Sequence, residues 1–372
     1  LIHVLADQNL HKIEEIIPPQ AKLTLYDPAE GIPNPKGFDA MLVRTVTHLN
    51  ERTFPNIPES LQFIGTGSSG TDHLDQEYLE AHGITLADAK GSNARAVAEY
   101  VMTALLLWRA KFAPNEEFGK VGVIGVGEAG SAVVKLMQNF GIECVEYDPP
   151  RQERDKSFSS ATLEEVLDTD ILTFHVPLDL KGVYATHHWL DDEKLKGRSY
   201  KLIINAARGG IIDEKALMKS FKAGGIDQYI LDVWEKEPDF NTEVASQAYI
   251  ATPHIAGYSE QAKVNATQII CKKMAAHFGL NENAIDYEIH PKTENLEYTS
   301  CDLTTILTEL HPIMGYDKAL RDLFDQPDKG RLFRNLRNEW PYRYEYPSLR
   351  ILQTLLDEFS ELQKLGVQPV TQ

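Results

Sequence analysis

Val121-Gly122-Val123-Ile124-Gly125-Val126-Gly127-Glu128-Ala129-Gly130 decides how this chain is read. Val121–Gly125 has the composition of a buried strand, Gly-x-Gly-x-x-Gly follows, and Ala129–Phe140 has the apolar spacing of a helix. Gly125 permits the tight turn, Gly127 lets a pyrophosphate approach the backbone, and Gly130 lets helix and strand pack closely. The helix start at Glu128 and Ala129 presents free N–H groups and a positive dipole end to phosphates. The next strand, Glu143–Tyr147, ends in Asp148, 18 residues past the last glycine. A carboxylate there accepts from both adenosine ribose hydroxyls and repels a 2′-phosphate, which favours NAD over NADP. Arg151, close by, is of the type that accommodates that phosphate. A glycine triplet alone also marks ordinary strand–turn–helix units; the flanking elements and the acidic residue set this one apart.

Working outward, further strands are expected at Ile171–His175, Leu202–Ala206, Tyr229–Val233 and Tyr249–Thr252, with helices between them, such as Glu214–Ala223. On the N-terminal side, Ile2–Ala6, Met41–Val43, Gln62–Ile64 and Ile84–Ala87 read as strands, and Leu10–Ile17 and Asp75–His82 as helices. This alternation predicts an α/β chain with two doubly wound parallel-sheet (Rossmann-like) domains. A long helix begins at Ala94, with Val97, Val101, Leu105 and Trp108 on one face. A second, Glu260–Phe278, has the length to pack back on the first domain. The first domain is therefore discontinuous, residues 1–93 and 256–283, around an NAD-binding domain at 94–255. Residues 284–372 read as a small C-terminal α+β domain, with helices near Leu303–Leu310, Lys318–Phe324, Leu332–Trp340 and Leu349–Leu362.

Bulk properties narrow the partners. The 372 residues carry 37 Lys and Arg against 55 Asp and Glu, a net charge of −18, which argues against nucleic acid or an anionic membrane surface. No apolar run approaches a membrane span, and Leu1–Asp7 reads as a strand and not as a secretion signal. Cys144, Cys271 and Cys301 are too few and too scattered for a disulfide framework or a zinc site, so inert thiols in a reducing cytoplasm are expected.

Three polar residues follow strands in the second half: Arg208, Glu237 and His254. In a doubly wound sheet the carboxyl ends of strands face the ligand crevice. Removing hydride from C2 of a hydroxy acid requires a base for the hydroxyl proton, for which His suits neutral pH. A carboxylate beside it would orient the ring, and an Arg fork grips a substrate carboxylate. Singly, each type is commonly structural. His175 also ends a strand and is a rival base or a shaper of the cofactor pocket, while His73 caps or braces the helix after it; periodicity does not choose among the three histidines.

Taken together, several motifs resemble the D-isomer-specific 2-hydroxyacid dehydrogenase family over roughly residues 1–285: Gly70–Asp75, Asn93 with Val97–Tyr100, the glycine loop, His175–Leu178, Asn205–Gly210, Asp232–Trp234 with Glu237-Pro238, and Thr252–Gly257. The resemblance implies that Arg208, Glu237 and His254 are catalytic, and that Asp148, Val176, Ala206, Ala207, Asp232 and Gly257 line the NAD site, Val176 through its backbone. Within the family, Leu42–Thr47, Gly91–Arg95, Asp148–Arg151, Ala256–Ser259 and the C-terminal extension are similar to a branch acting on a small phosphorylated hydroxy acid. It implies Thr45, Ser68 and Tyr258 as substrate contacts and a homodimer built on the C-terminal domain. For cations near a phosphate, Arg44 and Arg95 could face the crevice, although a salt-bridged role suits both. Arg331, Arg334 and Arg337 read as the charged rim of a helix whose apolar face is Phe333, Leu336 and Trp340. A sister enzyme acting on 3-phosphoglycerate and a non-catalytic NAD(H) sensor remain alternatives at this level.

Overall fold

The computed structural model describes residues 1–294 and 302–370, and Cys301 lies outside them. The chain forms two compact units, Leu1–Asn93 with Ser259–His290, and Ala94–Tyr258 with Pro291–Gln372.

The first unit is built on five parallel strands, β1 (Ile2–Asp7), β2 (Ala21–Tyr26), β3 (Ala40–Val43), β4 (Phe63–Thr66) and β5 (Thr85–Ala87), in the order β2-β1-β3-β4-β5. The central β3 and β4 are buried at every position, as a sheet covered on both faces requires. β2 escapes a search for apolar runs because it pairs only with β1, at the sheet edge, and buries only Tyr26 fully. The helix expected over Leu10–Ile17 shrinks to Ile13–Ile16. Lys12 before it is left-handed, with φ of 60°, and Pro18 after it disfavours helical geometry at Ile17. Glu260–His277 returns to this sheet, where Val264, Ile270, Cys271 and Met274 share a core with Val4, Leu42 and Phe63.

The second unit carries six parallel strands, β6 (Lys120–Ile124), β7 (Glu143–Tyr147), β8 (Ile171–Phe174), β9 (Tyr200–Asn205), β10 (Ile226–Leu231) and β11 (Ile250–Ala251). Their order is β11-β10-β9-β8-β6-β7, so the winding reverses between β6 and β8. Ligands of such sheets bind outside the carboxyl ends at that reversal. Here those ends lead into the glycine loop and His175.

The helix Ala94–Phe112 differs from its expected single apolar face: every residue from Ala96 to Trp108 is buried. Its core is shared with Val133 and Met137 of the helix Glu128–Asn139 and with Ile306, Leu310, Tyr346 and Leu349 of the C-terminal segment. The burial of Glu99 in this helix is compensated by Arg95 and Arg343, each 2.6 Å away, and by the N–H of Tyr346 at 3.0 Å.

C-terminal helices run over Leu303–Leu310, Ile313–Arg321 and Lys329–Glu339. A short parallel sheet joins β12 (Lys292–Thr293), β13 (Leu349–Ile351) and β14 (Gln368–Pro369). The helix expected over Leu349–Leu362 therefore opens as a strand, and Gln353–Glu358 and Ser360–Leu365 follow as separate short helices. Buried Leu349 and Ile351 flank half-buried Arg350, a period of two inside a stretch that also fits a helix. Among the described residues no helix is long and apolar enough to cross a membrane. Burial pushes the thiols of Cys144 and Cys271 up to about 12, so both stay protonated and inert.

Candidate active site

At the end of β6 the chain turns at Gly125, whose φ of 85° requires glycine. A Cβ on Gly130 would stand 1.9 Å from the Gly125 carbonyl oxygen, whereas one on Gly127 would meet nothing within 4 Å. Gly130 thus seals the turn and Gly127 faces open space. No side chain caps the following helix, whose first turn begins at Glu128, Ala129 and Gly130. An open turn with uncapped N–H groups suits a pyrophosphate. Asp148 ends β7 beside it: Oδ2 accepts from Val126 N at 2.8 Å and Oδ1 from Arg151 N at 2.9 Å. Each oxygen keeps a lone pair for a ribose hydroxyl. Arg151 points back into the protein, donating to Val126 O at 2.7 Å and Ser131 Oγ at 3.2 Å and stacking 4.2 Å from the Phe158 ring. Its fork is engaged in holding the loop, which leaves Asp148 as the group facing the adenosine side and supports NAD over NADP. Val176 lies against the same turn, 2.5 Å from where a Gly125 Cβ would stand.

His175, at the end of β8, lies beneath the loop. Its Nε2 is 2.9 Å from Thr173 Oγ1, its Nδ1 is buried without a hydrogen-bond partner among the described residues, and burial pushes its pKa down to about 3. A ring that stays neutral throughout the working range is a pocket wall and not a proton carrier. His73, in the first unit, does not cap the helix Gln76–Ala81, since Asp75 does. It bonds Thr66 Oγ1 at 2.9 Å, Thr66 in turn meets Ser68 Oγ at 3.0 Å, and burial pushes the imidazole down to about 4. Ser68 is thereby fixed by its neighbours, and Thr45 is exposed in the turn after β3.

His254 and Glu237 do meet. His254 Nδ1 is 2.7 Å from Glu237 Oε2, and Glu237 Oε1 accepts from Trp234 N at 3.0 Å. Burial opposes ionisation of Glu237, but the charge and hydrogen bond of His254, the charge of Arg337 and the Trp234 N–H outweigh it, so the carboxyl sits below its ordinary value. An ionised carboxylate only accepts, so the His254 proton of the neutral ring belongs on Nδ1 and Nε2 is left with its lone pair.

The backbone of His254 is left-handed, with φ of 58°, a conformation costing on the order of 1 kcal/mol for a non-glycine residue. Asp232 holds it there. Fully buried at the end of β10, Asp232 accepts from Thr252 Oγ1 at 2.6 Å, Ile255 N at 2.8 Å and Ala256 N at 2.8 Å, while its own carbonyl accepts His254 N at 2.7 Å. Burial pushes the Asp232 carboxyl up against the opposing His254 charge and these donors. Tyr100 extends the chain, its hydroxyl 2.6 Å from Thr252 Oγ1. Asp232, expected as a cofactor contact, also holds the loop that carries His254. The pattern of three donors on one buried Asp was not legible in the sequence.

Arg208 follows β9, the strand next to β10, which in turn neighbours β11. Asn205 shapes its turn, donating from Nδ2 to Arg208 O at 3.0 Å and accepting Ala207 N at 3.1 Å. Ala206 is buried and Ala207 half-buried. A Cβ on Gly209 would stand 1.7 Å from Trp234 O, so the Arg208 loop rests directly on the turn that braces Glu237. Gly257 and Tyr258 continue the His254 loop, and Tyr258 N donates to Ile255 O at 2.8 Å.

Comparison with known proteins gives the family. Residues 100–256 match the family profile described as D-isomer specific 2-hydroxyacid dehydrogenase, NAD binding domain. The erythronate-4-phosphate dehydrogenase of Bacteroides thetaiotaomicron is 32% identical over 353 residues, covering 94% of this chain and 99% of that protein. The chain belongs to the D-isomer-specific 2-hydroxyacid dehydrogenases. This dehydrogenase is also 32% identical over 375 residues to the erythronate-4-phosphate dehydrogenase of Yersinia enterocolitica, with 98% of each chain covered. Among solved structures it resembles a D-lactate dehydrogenase from Treponema pallidum (TM-score 0.59, 21% identity, 78% of this chain and 100% of that one). It also resembles the D-lactate dehydrogenase of Aquifex aeolicus complexed with NAD and lactic acid (TM-score 0.58, 24% identity, 74% and 95%). The protein is thus an NAD-dependent oxidoreductase of Rossmann-like fold.

Proposed function

We propose that this dehydrogenase oxidises 4-phospho-D-erythronate at C2, giving (R)-3-hydroxy-2-oxo-4-phosphobutanoate, with NAD as hydride acceptor. The observation that carries the reading is the 2.7 Å contact of His254 with an ionised Glu237, on loops that follow neighbouring strands, with Arg208 after the next strand along; the 32% identity to enzymes named for this substrate supports the choice of acid. Bound NAD supplies the oxidant, at an end of the sheet to which the glycine loop and Asp148 would anchor it.

The chain's own residues do the rest. His254 Nε2 takes the C2 hydroxyl proton while Nδ1 stays bonded to Glu237, whose charge stabilises the imidazolium that forms. Arg208 grips the substrate carboxylate and fixes C2. Thr45, Ser68 and Tyr258 serve as further substrate contacts. Gly125, Gly127, Glu128, Ala129, Gly130, Asp148, Val176, Ala206, Ala207, Asp232 and Gly257 form the cofactor side.

On this reading the protein serves pyridoxal 5′-phosphate biosynthesis in the cytoplasm, as a homodimer assembled through residues 284–372. Residues 1–93 and 256–283 form its substrate domain and 94–255 its NAD domain. Purified protein given NAD with 4-phosphoerythronate or 3-phosphoglycerate, followed by NADH absorbance, tests the substrate. Turnover of 3-phosphoglycerate alone overturns the substrate assignment, and NADH binding without turnover of any 2-hydroxy or 2-oxo acid overturns catalysis.

A further inference from the structure

A phosphorylated hydroxy acid brings two anionic ends to a chain of net charge −18, beside the carboxylates Glu237 and Asp232. Arg208 suffices for one end. The cations expected for the other each have a carboxylate partner already. Arg44 Nε pairs with buried Asp7 at 3.0 Å, and Arg95 is held by Glu99 at 2.6 Å and by the Leu365 carbonyl. Arg331 pairs with Asp328 at 3.1 Å on the exposed surface.

Arg337 is different. It lies near the end of the helix Lys329–Glu339, whose buried Phe333 packs 5.6 Å from the Phe240 ring and so fixes the helix against the segment following Glu237. Gly330 of the same helix lies close against that segment, since a Cβ there would stand 2.5 Å from Asp239 Oδ1. Arg337 Nη2 donates to Tyr258 OH at 3.1 Å, and the guanidinium sits 5.7 Å from the Tyr258 ring centroid. Part of the residue remains accessible, while its Nε is buried without a partner among the described residues. Alongside burial and His254, its charge acts on Glu237. Among the described residues no carboxylate lies within salt-bridge distance of it, although Glu237 and Asp232 feel its field.

We propose that Arg337, held by Tyr258, is a specificity-determining residue of the active site, recognising the phosphate end of the substrate while Arg208 takes the carboxylate end. The C-terminal segment then has a role in substrate choice as well as any in assembly. This rests on the reading of the site as one for phosphorylated 2-hydroxy acids. A planar fork with open donor capacity matches a phosphate, and a tyrosine hydroxyl keeps the fork from collapsing onto Glu237.

The test is the ratio of kcat/KM for phosphorylated over unphosphorylated acids, measured with erythronate and 4-phosphoerythronate and with glycerate and 3-phosphoglycerate. Arg337→Met is expected to lower that ratio at least about 30-fold, and Arg337→Lys to restore part of it. Tyr258→Phe, which keeps the ring and frees the guanidinium, is expected to lower it about fivefold, and serves should Arg337→Met fail to fold. A ratio unchanged within threefold overturns the proposal, even where both activities drop together, because parallel loss marks a purely structural role. Wild-type preference for unphosphorylated acids also overturns it. Wild-type preference for 3-phosphoglycerate, with the ratio still falling in Arg337→Met, would overturn the named substrate and leave the role of Arg337 standing.

Discussion

The carboxylate of Glu237 is gripped at both oxygens, by His254 Nδ1 at 2.7 Å and by Trp234 N at 3.0 Å. The ring therefore cannot rotate without losing a charge-assisted bond, and the backbone that presents it is pinned separately by Asp232. Orientation and protonation are set by different residues, which lets them be perturbed one at a time.

Replacing His254 by Ala removes the proton acceptor and leaves the glycine loop untouched. Turnover should fall about 10³-fold, the scale of a lost general base, with NADH affinity kept within threefold. Stopped-flow turnover and NADH fluorescence titration measure the two separately, and a variant with wild-type turnover would refute the role.

Glu237→Gln keeps the shape and removes the charge that stabilises the imidazolium. Because the Glu237 carboxyl sits below its ordinary value, the brace is present above that range and is lost only as pH falls through the lowered value. The pH–rate profile of the reductive direction, which needs the protonated ring, should have its alkaline limb moved to lower pH. An unmoved limb with lower kcat would mean that Glu237 only orients the ring.

Asp148→Asn is the discriminating change at the nucleotide site. The amide oxygen can accept from one of the two neighbouring N–H groups while its NH2 meets the other, and the charge that repels a 2′-phosphate disappears. NADH binding should weaken about tenfold and the preference over NADPH should narrow without reversing, because Arg151 remains tied to Val126, Ser131 and Asp155. Fluorescence titration with both nucleotides gives the ratio, and strong NADPH binding by the variant would contradict the fixed Arg151.

Much of this was legible in the residues, and the failures share a cause. Strand positions around Gly125, Asp148, Arg208 and His254 follow from local runs of apolar residues, so the sheet and its order of chemistry could be read directly. The edge strand Ala21–Tyr26 could not, because pairing on one side leaves it half-exposed and its apolar signal diluted. Nor could the full burial of Ala96–Trp108, since a C-terminal segment some two hundred residues away covers the second face. Arg337 read as a helix rim for the same reason: its neighbour Tyr258 is 79 residues away in the chain. What sequence periodicity reports is one element's own faces, and what decides Asp232, Glu99 and Arg337 is which distant element meets them.

Gly209→Ala tests whether the Arg208 and Glu237 loops act as one. The new Cβ would stand 1.7 Å from Trp234 O and 2.2 Å from its carbonyl carbon, both backbone atoms, so one loop must move. The glycine loop at β6 lies two strands away and should be little disturbed. Turnover is expected to fall at least 100-fold with NADH affinity changed less than about fivefold. Equal losses in both would show that the contact supports the whole sheet and not the site.

Glu214 offers a pH test of stability that is independent of catalysis. Its carboxylate accepts from Glu235 N and its own N–H donates to the Glu235 carboxylate, both at 2.9 Å, and burial pushes its carboxyl up to about 7. A raised acid binds its proton more tightly in the folded state, so its stabilising contribution is complete below about 4.5 and is lost as pH rises through about 7. Across that window the loss amounts to roughly 3 kcal/mol. Glu214→Gln keeps the oxygen that accepts from Glu235 N and carries no titrating proton. Its urea midpoint should match the wild type at pH 5 and exceed it at pH 8. A difference that does not change with pH would show that Glu214 is already charged in the folded protein at pH 5, with its neighbours rather than a proton neutralising it.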